Sequence, residues 1–336
     1  MKRPVFALAC LVVTALVLVI FVRKPGINGY KPAMFGDMIH GDANRPFVNR
    51  ALLPMATRAI VAVLPESLRS SLGDEALARP GIHKLLKDLK WEHDLLPEYL
   101  VATALMGLSL LGFLLVVRCL FRTVAEGPGW LFDLTALLAV LGLPAFFKYY
   151  SYIYDFPALF LFTLGLALLA RERWGLFLAV YLVSCFNKET TILLSVIFVI
   201  RFLLRGRPGR ADALKLGAAQ LAIFLFSRGA LHAMYGSNPG GTVEFHLLHN
   251  LQLLKPYPLA TFVAWLAVVV LVARDWKGKP EFLRDAAWIV LPLFALTITF
   301  GLYDELRDYY EAYPIVFLLM MWSVADVLGV KLKALR

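Results

Sequence analysis

The chain predicts an all-α, polytopic membrane protein of about ten transmembrane helices, with two interfacial helices in a large first outer loop. Three observations carry that expectation. Hydrophobic residues fill 60% and charged residues only 17% of the 336 positions, and the mean hydropathy is +0.70, which leaves more apolar surface than a soluble core of this size can bury. Apolar runs approaching the length that crosses about 30 Å of hydrocarbon recur from one end to the other. Lys and Arg gather on alternate connections, as they do where short cytoplasmic loops collect them. The net charge of +10 is then mainly a topology signal, and no nucleic-acid partner is required to explain it.

The first element is MKRPVFALACLVVTALVLVIFVRK, which has the basic start and apolar run of a secretory signal but no small-residue cleavage site. Residues 5–22 therefore read as an uncleaved span. Further spans are expected near 98–117, 130–147, 156–170, 174–186, 190–204, 216–234, 258–273, 286–302 and 314–329. Together they make residues 1–336 a single integral membrane domain, with 23–97 as its first extracytoplasmic loop.

Two stretches of that loop, near 46–64 and 80–93, are amphipathic. In the first, Asn49, Arg50, Thr57 and Arg58 form a narrow polar strip. In the second, Ile82, Leu85, Leu86 and Leu89 keep helical spacing opposite Lys84, Lys87, Asp88 and Lys90. Both read as helices lying in the membrane interface, their basic side chains level with lipid phosphates.

Orientation follows from charge. With both termini in the cytoplasm, the cytoplasmic ends hold Lys2, Arg3, Arg118, Arg122, Arg171, Arg173, Arg201, Arg205, Arg207, Arg210, Lys215, Arg274, Lys277, Lys279, Arg284, Lys331, Lys333 and Arg336. The short outer connections hold only Lys148, Lys188, Arg228, Lys255 and Arg307. The long loop lies outside the charge rule. Cys10, Cys119 and Cys185 are odd in number and fall in or beside apolar runs, so they suggest neither a disulfide framework nor a metal cluster.

The segment FNKETTILL (186–194) places Asn187, Lys188 and Glu189 among about thirty apolar residues. As one helix, 174–204 would extend about 45 Å and move every later basic loop to the outer side. A turn at 187–189 avoids this. The preceding arm, Gly175 to Phe186, gives only about 18 Å of helix, so the turn should dip below the membrane surface. Charged, non-helical backbone at that depth is tolerated where it lines a wet cavity. The alternative is a hairpin whose Lys188 and Glu189 snorkel or pair with each other.

Other polar residues reach the same face. Asp155, in FFKYYSYIYDFPALF, either caps its span or joins the cavity. LYDELRDYYEAYP contributes Asp304, Glu305, Arg307 and Asp308, with 304 spaced to share a helix face with 307 or with 308. Arg228 lies a turn or two inside the outer end of its span, where an isolated charge is costly. In the first loop, Asp37, Asp42, Asn44 and Arg45 stand on a Gly-containing turn where an acid can serve as a general base.

In these residues the chain resembles the GT-C glycosyltransferases, membrane enzymes that use polyprenyl-phosphate-linked sugars on the outer side of the membrane. The resemblance rests on an acid after the first span, two interfacial helices in the first loop, and the stretches GDANRPFVNRALLP, YDFPALFLF, FNKETTILL and YDELRDYYEAYP. It implies that the first-loop acid is the catalytic base, mapping onto Asp37 with Asp42 as second choice, and that the site faces outward from a bacterial plasma membrane of the cell envelope. The paired acids that several such families carry directly after the first span are lacking, which leaves room for a divalent metal and for either base. The implied partners are a polyprenyl-phosphate-linked sugar, a lipid, glycan or protein acceptor, and membrane lipids.

On that reading Lys188, Arg228, Arg307 and Arg45 hold phosphate, and Asp155, Asn187 and Glu189 bind sugar hydroxyls or orient Lys188. Arg50, with Arg58, guides the lipid, and Glu305 lies within the substrate site. The competing expectations are a transporter or flippase of a lipid-linked or anionic substrate, a polysaccharide-modifying acyltransferase or polymerase, and a non-catalytic assembly subunit.

Overall fold

The first apolar run forms α1 (Arg3–Arg23), with Pro4 in its first turn, where a missing N–H costs nothing. The computed structural model describes residues 2–204, 209–241, 243–252 and 259–335, with the backbone alone at 73–77, 210, 260 and 261. Arg205, Arg207, Lys255, Arg336 and the side chain of Arg210 lie outside the described residues, as does the start of the expected span at 258.

The first loop folds as α2 (Phe35–His40), α3 (Leu52–Ala62), α4 (Glu66–Ala78) and α5 (Pro80–Leu89). The amphipathic stretch expected over 46–64 is helical only from Leu52. A 3-10 turn at Phe47–Asn49 precedes it, and Arg50 is non-helical, at φ −93° and ψ 59°. Helix α4 has no counterpart in the sequence reading, because ESLRSSLGDEALA carries no apolar stripe. Its Glu, Leu, Arg and Ala are nonetheless good helix formers.

The body follows: α6 (Leu96–Val124), α7 (Gly129–Leu141), α8 (Asp155–Ala170), α9 (Trp174–Cys185), α10 (Ile192–Phe198), α11 (Arg210–Tyr235), α12 (Leu247–Gln252), α13 (Leu259–Ala273), α14 (Glu281–Ala286), α15 (Val290–Phe300) and α16 (Tyr313–Val327). The strands are β1 (Ala125–Glu126) and β2 (Lys333–Ala334), paired antiparallel. The architecture is all-α. By length and composition, five helical stretches among the described residues suffice to cross a membrane: Arg3–Arg23, His93–Val124, Gly129–Phe146, Ala211–Tyr235 and Glu281–Phe300. Shorter apolar helices run over Asp155–Ala170, Trp174–Cys185, Phe262–Ala273 and Tyr313–Val327 in the body, and over Leu52–Ala62 in the first loop. The run expected at 190–204 is α10 continued by a π turn at Val199–Leu203.

Helix α6 is the central post, packed along α8, α7, α1 and α3, with Met106, Leu110, Phe113, Leu114, Val117, Leu120 and Phe121 fully buried. Two glycines allow close approach. A Cβ at Gly112 of α6 would stand 2.7 Å from the Phe160 ring of α8, and one at Gly165 of α8 would stand 2.6 Å from Leu194 of α10. Outward, α1, α11 and α13 expose Leu8, Leu11, Val12, Leu221, Leu225, Phe226, Val263, Leu266 and Val269. Apolar faces this continuous mark a membrane-embedded body.

Polar contacts collect at two opposite ends, because each long helix contributes one terminus to each. At one end α6 finishes beside the β1–β2 pair, Arg118 binds Asp133 at 2.6 Å, and Arg171 donates to Thr123 at 3.0 Å. Arg201 meets Glu281 at 2.8 Å and Asp285 at 3.0 Å. There Lys279, 1% exposed, donates to the carbonyls of Leu271, Val272 and Leu319 and to Ser323 Oγ at 2.7–2.9 Å. At the other end lie the first loop, the start of α8, the α9–α10 turn and the α15–α16 connection.

Candidate functional site

Four sequence-distant segments converge at that second end. Helix α9 stops after twelve residues, so the turn after it lies within reach of the first loop. Leu52 N donates to Phe186 O at 3.1 Å, which joins the start of α3 to the turn. Asn187 Nδ2 donates to Tyr154 O at 3.1 Å, which adds the segment before α8. Lys188, extended at φ −156° and ψ 140°, reaches the α15–α16 connection, where its Nζ lies 3.0 Å from Glu311 Oε1.

The charges of the α9–α10 turn pair across segments and not with each other. Arg50 Nη2 meets Glu189 Oε1 at 2.7 Å. The same guanidinium donates to the Tyr154 hydroxyl and lies 4.5 Å from the centre of that ring. The pairing of Lys188 with Glu189, one of the two sequence alternatives, is thus replaced by two crossed pairs, Lys188–Glu311 and Arg50–Glu189. Adjacent residues on an extended-to-3-10 backbone point apart, so each finds its counter-charge on another segment. Thr190 Oγ1 also donates to Glu311.

Arg307 Nε bonds Glu305 Oε1 at 2.5 Å, and its Nη1 lies 3.7 Å from Asp155 Oδ1. Its guanidinium covers the Tyr152 ring at 4.1 Å. Tyr152 stacks between Phe47, at 5.4 Å, and Tyr154, at 5.2 Å, so two arginines rest on one aromatic stack. Asp155 does not cap ahead into α8. Its Oδ2 accepts the Tyr152 N–H, three residues back, at 3.0 Å. Asp304 and Arg307 do not share a face either. Asp304 turns to the rim, bound by Lys148 at 2.7 Å and Tyr149 at 2.5 Å.

Such a cluster costs desolvation that only pairing offsets, and the pairing is incomplete. Asn187 Oδ1, Glu311 Oε2, Tyr310 Oη and Arg228 Nε are buried without a hydrogen-bond partner, each an expense of about 1–3 kcal/mol. Arg228, on α11, has no carboxylate partner among the described residues; it donates to Cys185 O at the foot of the turn. It is the cation here whose charge is left for an anion.

Electrostatics differ within the cluster. Burial pushes the Asp308 carboxyl up, and Arg307 opposes this only partly, so it titrates at about 6. Burial acts the same way on Glu189, but the Arg50 ion pair outweighs it and holds that carboxyl at about 2. As 39% of the Glu189 side chain stays open, solvent screens this pair.

Of the residues anticipated from sequence, Arg50, Asp155, Asn187, Lys188, Glu189, Glu305 and Arg307 meet in this cluster, with Arg228 at its edge. Asp37 and Asp42 are exposed on α2 and the turn after it, and neither carboxylate has an ion pair or side-chain hydrogen bond among the described residues. Arg45 is not aimed into the cluster. Its Nε and Nη2 bind Asn238 O at 2.8 Å and Gly240 O at 2.7 Å, pinning the first loop to the end of α11. Arg50 has left the lipid-facing strip expected of it, while Arg58 remains exposed on α3.

Glu311, Tyr152, Tyr154 and Thr190 have no assigned role in the sequence reading, and Asp308 is placed on this face there without one. The available signal was charge balance: a lysine at membrane depth needs an acid, and YDELRDYYEAYP carries acids at 304, 305, 308 and 311. Among the described residues no three His, Cys, Asp or Glu side chains lie close enough to share a metal ion. The cysteines are free, Cys10 and Cys185 buried. Comparison with known protein families, characterised proteins and solved structures returns no match.

Proposed function

We propose that the chain is a membrane glycosyltransferase that moves a sugar from a polyprenyl-phosphate carrier to an acceptor on the extracytoplasmic face of a bacterial plasma membrane. In this reading the body crosses the membrane ten times with both termini cytoplasmic, and the cluster of the first loop, the α9–α10 turn and the α15–α16 connection faces outward. One observation carries the proposal: four cations from four distant segments, Arg50, Lys188, Arg228 and Arg307, gather with buried unpaired polar atoms at one end of an apolar helical body. Intramembrane charge of this kind marks a site where charged substrate is handled.

The chemistry is a single displacement. The acceptor hydroxyl oxygen forms the new bond to the anomeric carbon, the carbon–oxygen bond to phosphate breaks, and the phosphate leaves with the electron pair. The acceptor proton passes to a first-loop carboxylate, Asp37 or Asp42, which fits the absence of any side-chain partner holding either one. Arg228, free of a carboxylate, and Lys188 stabilise the departing phosphate. Asn187 Oδ1 and Glu311 Oε2 are acceptors for sugar hydroxyls. No step calls for a metal ion.

The test is reconstitution of the purified chain in liposomes with radiolabelled polyprenyl-phosphate sugars. Release of polyprenyl phosphate with label in an acceptor is the expected result, abolished in Asp37→Asn while the protein stays folded. Labelled lipid crossing the bilayer with its sugar bond intact identifies a flippase instead. Accessibility labelling that places residues 37 and 188 on opposite sides of the membrane removes the site altogether.

A further inference from the structure

A second cation-lined feature stands apart from that cluster, where α5 ends. His83, Lys87, Lys90, Trp91, Glu92 and His93 line an open hollow of about 480 Å³, within the range of about 300–1,000 Å³ typical of small-ligand sites. We propose that this hollow binds a phosphate group, carried by an anionic lipid headgroup or by a soluble phosphate. The proposal does not depend on the sugar-transfer reading.

The walls are built and not accidental. Trp91 stacks on Tyr99 at 4.5 Å and 6° between planes, and its backbone N–H donates to Leu86 O at 2.9 Å. Asn28, buried, binds the Lys90 carbonyl at 2.7 Å and Tyr99 Oη at 2.6 Å while accepting the Phe35 N–H at 2.8 Å. The turn that carries Lys90 is therefore tied by one hydrogen bond to Asn28, a side chain that two further bonds fix to the main core. Opposite it, the His83 and His93 rings stack at 5.6 Å.

Lys90 itself is the informative residue. It sits directly after α5 at φ 57° and ψ 38°, the left-handed position that helix C-termini normally give to glycine. A side chain there costs about 1–2 kcal/mol. A lysine held against that cost lines the hollow. Neither Lys87 nor Lys90 forms an ion pair among the described residues, and the one acid of the lining, Glu92, lies against Gly36. Two ammonium groups without an ion pair among the described residues, together with two imidazoles, offer N–H donors that outnumber the one acid of the lining, which suits the oxygens of phosphate. Leu85 on the same helix is 41% exposed, consistent with α5 lying at headgroup level.

The experiment uses the full chain in dodecyl maltoside, a phosphate-free detergent, titrated calorimetrically with dihexanoyl phosphatidylglycerol and with inorganic phosphate. Saturable binding of one or both is expected; both probes binding means phosphate alone is read, and the lipid alone binding means the headgroup is required. Lys87→Gln, an exposed position that leaves the fold intact, should weaken binding by about tenfold or more. Lys90→Gly should do the same while leaving the thermal midpoint unchanged or raised, because glycine relieves the left-handed residue. Arg228→Gln, which alters only the other cluster, should keep the Lys87-dependent binding. No saturable binding of either probe, wild-type affinity in Lys87→Gln, or loss of binding in Arg228→Gln alone would overturn the site.

Discussion

Two buried lysines at opposite ends of α16 show how one residue type serves different ends. Lys188 is 8% exposed and Lys279 1%. Lys279 divides its protons among four neutral oxygens and closes the C-terminal end of α13 onto α16, so all three of its protons find acceptors. Lys188 has one carboxylate partner, Glu311, whose second oxygen is unpaired, beside an unpaired amide oxygen and an unpaired phenol. A buried charge that is fully satisfied ties structure together. One surrounded by idle donors and acceptors is arranged for something that has yet to arrive.

The contrast breaks first at Glu311. Glu311→Gln leaves Lys188 buried and uncompensated, and should lower stability by about 3–5 kcal/mol; adding Lys188→Met should recover part of that loss. Thermal unfolding of the single and double variants in detergent gives the coupling, and an additive result would mean the pair is not a unit. Lys279→Met comes next, with a loss of about 2–3 kcal/mol from orphaned carbonyls and no change in substrate handling by whatever protein remains folded.

The third test is pH. Asp308 is raised from 3.8 to about 6, so between about pH 4 and 6 the native state holds a proton that the unfolded chain has released. Its contribution to stability falls as pH rises through that window. Asp308→Asn should flatten this slope and raise the unfolding midpoint at pH 7, by on the order of 2 kcal/mol. A slope identical to wild type would assign the pH response elsewhere. The smallest effect on stability is expected at Arg228: Arg228→Gln should change it by less than about 1 kcal/mol yet strongly reduce sugar transfer, since this cation has no carboxylate to abandon.

The α9–α10 turn was legible because twelve apolar residues cannot span a bilayer and a charged triplet ends them. The helices were legible for the same reason of length and hydropathy. Helix α4 was not, since nothing in its pattern distinguishes a helix from a polar loop. Arg50 was assigned to a lipid-facing strip because its spacing fits one, and only contact with Glu189 draws it inward. Glu311 escaped notice because nothing in sequence joins it to Lys188, 123 positions away.

The sequence by itself determined that this is an apolar, helical, membrane-embedded chain, and where its polar residues interrupt it, because hydrocarbon length and backbone hydrogen bonding act locally. Tertiary structure alone decided which charges face each other, which cation is left without an acid, and which lysine is closed off. Those outcomes depend on segments far apart in the chain arriving within 3 Å, a distance that no local pattern encodes.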